Sequence, residues 1–135
     1  MRKVSTLSAV AAFIAAGWAF SAGSALAQDT GEALFGQNCS ACHQTTGQGI
    51  PGAFPKLAGN KFVQGPPQAV ASVVLNGRGG MPTFADDLSD DKIAAILTYV
   101  RGAWGNTATP VTPAVVAAAR SGKPPENPGA ALQAH

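Results

Sequence analysis

Cys39-Ser40-Ala41-Cys42-His43 sets two thiols three positions apart, with an imidazole directly after the second. On one helical turn such thiols reach the two vinyl groups of a porphyrin while the adjacent imidazole projects to its iron. The C-x-x-C-H string therefore reads as an attachment site for c-type haem. Other uses of C-x-x-C each lack a part here. A zinc site takes about four nitrogen or sulfur ligands, yet outside the motif the chain offers no cysteine and only His135, the last residue of a Pro-rich tail. A thioredoxin-like pair needs a strand-helix-strand setting, and the flanks show no β-rich alternation. A plain disulfide is the default for two cysteines in an oxidising compartment, but it gives no use to His43.

A second axial ligand decides between a closed electron carrier and an open iron. The sequence has two methionines, Met1 and Met81. Lone methionines usually fill cores, but Met81 stands in Asn76-Gly77-Arg78-Gly79-Gly80-Met81-Pro82-Thr83-Phe84. The glycines and Pro82 make this a loop, without the periodicity that would bury Met81 on an element face. Met81 is accordingly read as the partner of His43. Met/His ligation fills both axial positions and raises the reduction potential.

The elements that must hold these groups are helical. Asp29 or Thr30 caps a helix from about Gly31, with Leu34 and Phe35 on the face leading to Cys39. Residues 47–59 are too rich in Gly and Pro for a helix or central strand. Pro67 opens a helix in which Val70, Val73 and Val74 share a face, stopped by Asn76-Gly77. Ser89 caps a further helix with Asp90 and Asp91 in its first turn, and Gly105 is expected to end it. Ile93, Ile96, Leu97, Val100 and Trp104 form its apolar stripe. The fold class is all-α, three to four short helices with long loops. So small a core needs the apolar volume of the haem, and the apo-protein should be poorly folded.

The ends of the chain have their own character. Arg2 and Lys3 precede an uncharged stretch, richest in apolar residues from Val10 to Phe20, that closes on Ala25-Leu26-Ala27. That is the order of a cleaved secretory signal over residues 1–27. A retained anchor is the competing reading, because Val4 to Ala27 is long enough to span roughly 30 Å of hydrocarbon, but its serines and glycines dilute it. The mature chain is expected to begin at Gln28, in the periplasm, with no membrane span. Residues 28–104 form the haem domain and residues 105–135 a tail holding five of the ten prolines. Within it Thr112-Pro113 opens one short helix through Arg120, which docks on the haem domain or on a partner.

Nine basic against seven acidic side chains give a net charge of +2, and loss of Arg2 and Lys3 brings the mature chain to seven of each. This balance gives neither the basic face of a nucleic-acid binder nor an acidic tail. Docking to partners should then depend weakly on salt.

With C-x-x-C-H near the mature start, Met81 in its loop and Tyr99 on the closing helix, residues 31–104 resemble the class I c-type cytochromes. The resemblance implies a cytochrome c fold wrapped around one covalent haem c. It also implies that the first and last helices cross where Gly31 and Phe35 meet Tyr99. Pro55, in Phe54-Pro55-Lys56-Leu57, resembles the proline whose carbonyl accepts the proton on the far ring nitrogen of the ligand histidine, holding it in orientation. Residues 51–60, 80–84 and 93–106 are similar to haem domains in cytochrome subunits of periplasmic dehydrogenases and oxidoreductases, several of which carry more than one C-x-x-C-H. Many of these continue into a Thr-Pro-led segment like 111–120.

These readings converge on a mono-haem carrier that shuttles single electrons and is not itself an enzyme. Cys39 and Cys42 bind the haem, and His43 and Met81 ligate its iron. Its partners are a redox donor and acceptor, a dehydrogenase or a terminal oxidase or reductase, and it acts as a monomer or as a subunit of a complex. A dedicated dehydrogenase subunit is the first alternative. An open-iron enzyme or gas sensor ranks below both, because no histidine near the motif is left for distal acid-base work. Arg78 is a candidate partner for a haem propionate, with Asn60 and Trp104 of similar rank.

Overall fold

The computed structural model describes residues 30–122. The expected signal at 1–27 and the end of the tail lie outside the described residues. Five helices follow in order: α1 (Gly31–Asn38), α2 (Ser40–His43), α3 (Pro67–Asn76), α4 (Asp90–Gly102) and α5 (Pro113–Arg120). The described residues contain two isolated β-bridges, Ile50 with Phe54 and Arg78 with Met81, and no named strand. None of their helices is long and apolar enough to cross a membrane. The all-α class with long loops is as expected, while the helices of the described residues number five where three to four were expected, α2 being a single turn.

Local chemistry starts each long helix. Thr30 Oγ1 accepts from Ala33 N at 3.2 Å, Ser89 Oγ from Lys92 N at 3.4 Å and Thr112 Oγ1 from Val115 N at 3.4 Å. Each hydroxyl satisfies one of the orphan amides of a first turn. Pro67 and Pro113 occupy first-turn positions, where no amide is missed.

α1 crosses α4 at Gly31, where a Cβ would stand 2.2 Å from the Ala95 carbonyl oxygen. Beside this crossing Phe35, Tyr99 and Trp104 form an aromatic triangle with centroids 5.1 to 5.7 Å apart. Such tilted and edge-on pairs add to the burial of apolar area. Trp104 reaches this cluster by a route the apolar stripe does not indicate. α4 ends at Gly102, and Trp104 lies beyond it with φ 52°. That left-handed backbone turns the indole onto Gly47, where a Cβ would stand 2.4 Å from the ring.

Residues 105–122 pack on the same core. Val111, Val116 and Ala119 are buried with Val70, Leu75, Ile93 and Leu97. Thr98 Oγ1 donates to Val111 O at 3.1 Å and accepts from Val111 N at 3.0 Å. Arg120, at the end of α5, donates to the carbonyls of Ala85 and Leu88 and pairs with Asp90 at 2.9 Å. Of the two sites open to the α5 helix, it occupies the one on its own domain.

Candidate functional site

α1 delivers the cysteines almost without interruption. Cys39 N donates to Phe35 O at 2.9 Å and His43 N to Cys39 O at 3.0 Å, so residues 39–43 make one further helical turn. Gln44, with φ 63°, ends it. No disulfide joins Cys39 to Cys42. Burial, with Cys42 as a lesser contributor, pushes the Cys39 thiol up to about 11.

His43 is buried, and its Nδ1 stands 2.9 Å from the Pro55 carbonyl oxygen. A carbonyl only accepts, so Nδ1 carries a proton toward Pro55 and Nε2 is the ring nitrogen left for a metal. The loop that brings Pro55 there is ordered by its own backbone. Ile50 and Phe54 exchange amide bonds at 2.9 and 2.8 Å, and Gly47 O accepts from both Leu57 N and Ala58 N. Gly49 permits the close approach, since a Cβ there would stand 2.4 Å from Phe54 O.

Met81 is held on the other side by a tight turn. Arg78 N donates to Met81 O at 3.2 Å and Met81 N to Arg78 O at 3.1 Å. Gly77, with φ 71°, lies where a Cβ would stand 2.5 Å from Met81 O. The exit is fastened to α3, because Phe84 N donates to Val74 O at 3.1 Å and Thr83 Oγ1 donates to Leu75 O.

Cys39, Cys42, His43, Pro55 and Met81 line one hollow. A second hollow adjoins it, sharing Cys39, His43, Pro55, Val73, Arg78 and Met81 and running inward between Phe35, Val63, Val70, Ile96, Leu97 and Val100. Val70, Val73 and Val74 all line this space, and of the three Val70 is buried while Val73 and Val74 are half-buried. The walls are mostly apolar, and the His43 imidazole and the Met81 thioether both stand on them. That set suits a flat iron macrocycle with His/Met ligation, and two thiols at one wall suit its covalent attachment.

The secondary candidates have other partners. The Arg78 guanidinium lies 4.5 Å from the centroid of the Phe62 ring, at the wall of the slot. Asn60 builds a turn, its Oδ1 accepting from Phe62 N and Val63 N and its Nδ2 donating to Lys56 O. Two buried polar residues stand outside the sequence expectations. Arg101 is 2% exposed, with its guanidinium donating to Val63 O, Gly65 O and Thr109 O. Its spacing of four from Leu97 and eight from Ile93 puts it on the apolar stripe, the one signal of its burial that the sequence carries. Asn106 Nδ2 donates to Leu57 O and Val100 O, tying the loop after His43 to the end of α4.

An apolar slot with these donors belongs to the chemistry of a c-type cytochrome. The family model described as cytochrome c oxidase, cbb3-type, subunit III matches residues 26–100, and the chain belongs to that family, with one covalently bound haem c. Cytochrome c-552 of Thermus thermophilus is 40% identical over 100 residues, which cover 62% of this chain and 66% of that protein. Cytochrome c6 of Leptolyngbya boryana is 39% identical over 72 residues, 52% of this chain and 85% of its own. The cytochrome c subunit of a quinone alcohol dehydrogenase from Gluconobacter oxydans is 34% identical over 92 residues, 59% of this chain but 19% of that subunit. Among solved structures, cytochrome c6 of the diatom Phaeodactylum tricornutum is 29% identical and covers 68% of this chain and 93% of its own, with a TM-score of 0.44.

Proposed function

We propose that this protein is an exported, periplasmic mono-haem cytochrome that passes single electrons between redox proteins. Cys39 and Cys42 hold the haem by thioethers and His43 and Met81 ligate its iron. The observation that carries the assignment is the His43 imidazole fixed by Pro55 at 2.9 Å on the same slot as both cysteines and Met81. When bound, the haem supplies a one-electron iron couple. The chain's own residues would ligate the iron through His43 and Met81 and keep water out. Pro55 fixes the His43 tautomer and ring plane, the bonds at residues 77–84 press the Met81 loop onto α3, and the apolar walls lower the dielectric.

The proposed organisation is a cleaved signal at 1–27, a haem domain at 28–104 and a tail at 105–135 whose α5 helix reinforces the domain. Ile50, Phe54 and Phe62 are exposed, and the last two line the slot. A small apolar patch of this kind fits the brief contacts of electron transfer, which bury less than about 1,200 Å². A second reading, a dedicated subunit of a dehydrogenase complex, is favoured by the similarity to the alcohol dehydrogenase subunit.

Absorption spectroscopy of protein exported with haem-maturation machinery tests the assignment. Wild type should give low-spin bands, a weak sulfur-to-iron band in the oxidised form and no carbon monoxide binding. Met81→Ala should lose the sulfur band and bind carbon monoxide. A high-spin wild type that binds carbon monoxide would transfer the protein to the open-iron class. Co-purification with a dehydrogenase would select the subunit reading.

A further inference from the structure

The Arg101 guanidinium sits inside the domain with carbonyls and one hydroxyl for partners and no carboxylate of the described residues against it. Nε donates to Thr109 O at 2.9 Å, Nη1 to Val63 O at 2.6 Å and to Gly65 O at 2.8 Å, and Nη2 to Thr109 Oγ1 at 3.5 Å. The sole ion pair of the described residues is Arg120 with Asp90. Arg101 is 2% exposed and adjoins the slot by two routes. Val100 precedes it in the chain, and Val63 is the residue whose carbonyl it holds, and both side chains line the inner hollow. Burying an uncompensated charge costs free energy, and apolar residues of similar volume often replace such groups without loss. Guanidinium keeps its proton at neutral pH even when burial lowers its pKa. The result is a permanent positive charge, poorly screened by solvent, close behind the wall of a redox centre.

We propose that Arg101 raises the reduction potential of the haem, by making the more positive oxidised state less favourable than the reduced state. The proposal rests on the haem assignment above. No bond changes in this role. One electron arrives from the donor protein and leaves to the acceptor, and Arg101 shifts the balance through its field alone.

Redox titration of the holo-protein, followed by its absorption bands, separates this role from simple bracing. At the wild-type midpoint, Arg101→Gln should be at least about threefold more oxidised, a fall of about 28 mV at roughly 59 mV per tenfold for one electron. Arg101→Lys keeps the charge and should stay within about twofold of wild type. Thr109→Asp offers a second route that leaves the arginine in place. Thr109 is exposed, and a carboxylate there faces the guanidinium and should also lower the potential. Thr109→Asn, its neutral control, should not. The sulfur-to-iron band should persist in all four variants, showing that the axial ligands are unchanged. A wild-type potential in Arg101→Gln, equal falls in the Gln and Lys variants, or a wild-type potential in Thr109→Asp overturns the proposal. If the Arg101 variants fail to fold, the Thr109 pair decides it. A wild type without any reversible one-electron couple instead sinks the haem assignment itself.

Discussion

Gly31 lies so close to Ala95 that a Cβ on the glycine would stand 2.2 Å from the Ala95 carbonyl oxygen and 2.9 Å from Tyr99 Cβ. The obstacle is backbone, which cannot swing aside as a side chain can. Gly31→Ala must push α1 off α4 and loosen the packing of Phe35 on Tyr99. The cost should be roughly 1 to 3 kcal/mol, as for overpacked cores. Thermal unfolding of the holo-protein should show Tm falling by about 4 to 8 °C per kcal/mol. An unchanged Tm would mean that the helices do not cross this closely.

Gly77 and Gly79 form a matched pair in the Met81 loop. Both have positive φ, 71° and 60°, but a Cβ at Gly77 meets Met81 O at 2.5 Å while one at Gly79 meets nothing within 4 Å. Gly77→Ala therefore carries the backbone penalty and a displacement of the methionine, and Gly79→Ala the penalty alone. Gly77→Ala should weaken the sulfur-to-iron band and admit carbon monoxide, and Gly79→Ala should retain the band. Equal spectra for the two variants would dissociate Gly77 from Met81.

Arg120 joins α5 to the segment leading into α4 through three acceptors, of which only Asp90 is charged. Exposed ion pairs contribute about 0 to 1 kcal/mol, whereas a hydrogen bond to a charged group contributes roughly 1.5 to 3 kcal/mol. Arg120→Ala should destabilise the protein more than Asp90→Asn in chemical denaturation. The difference is that the second variant leaves the Ala85 and Leu88 carbonyls engaged. Equal costs for the two variants would place the stabilisation in the ion pair.

Tyr99 is the sole tyrosine of the chain. Burial, and next the Glu32 carboxylate, push its phenol above the ordinary 10.0. The folded protein thus prefers the neutral phenol. The associated stabilisation is fully present below pH 10 and is lost as pH rises through the higher folded value. Phenolate difference absorbance should rise at higher pH in the folded protein than in denaturant, and Glu32→Gln should return part of the shift. Coincident titrations would contradict it.

Groups whose signals are local are legible in the amino-acid sequence itself. Thr30, Ser89 and Thr112 announce their helices because a cap needs only the next three residues. Cys39, Cys42 and His43 form a single turn, and the glycines around Met81 mark its loop. What the sequence leaves hidden depends on partners distant along the chain. Arg101 sits where an apolar side chain would belong, and its burial is intelligible only through carbonyls at residues 63, 65 and 109. Spacing alone puts Trp104 on the α4 stripe, whereas its left-handed backbone answers to Gly47, on a loop of the opposite half of the chain. The Pro55 contact with His43 follows from resemblance, since no property of an isolated Phe-Pro-Lys string points to an imidazole.

The single turn that carries both thiols has a consequence for the order of assembly. The bonds that close residues 39–43 run only to neighbours in the chain, Cys39 N to Phe35 O and His43 N to Cys39 O, so the geometry of the thiols does not wait on distant segments. Met81 comes into place only after α3 exists to receive Thr83 and Phe84, and α1 meets α4 only after a long loop has closed, at a cost in chain entropy. Maturation would then run from the local turn at residues 39–43, which would hold the haem, to a core that closes last at Met81 and at the crossing of α1 with α4.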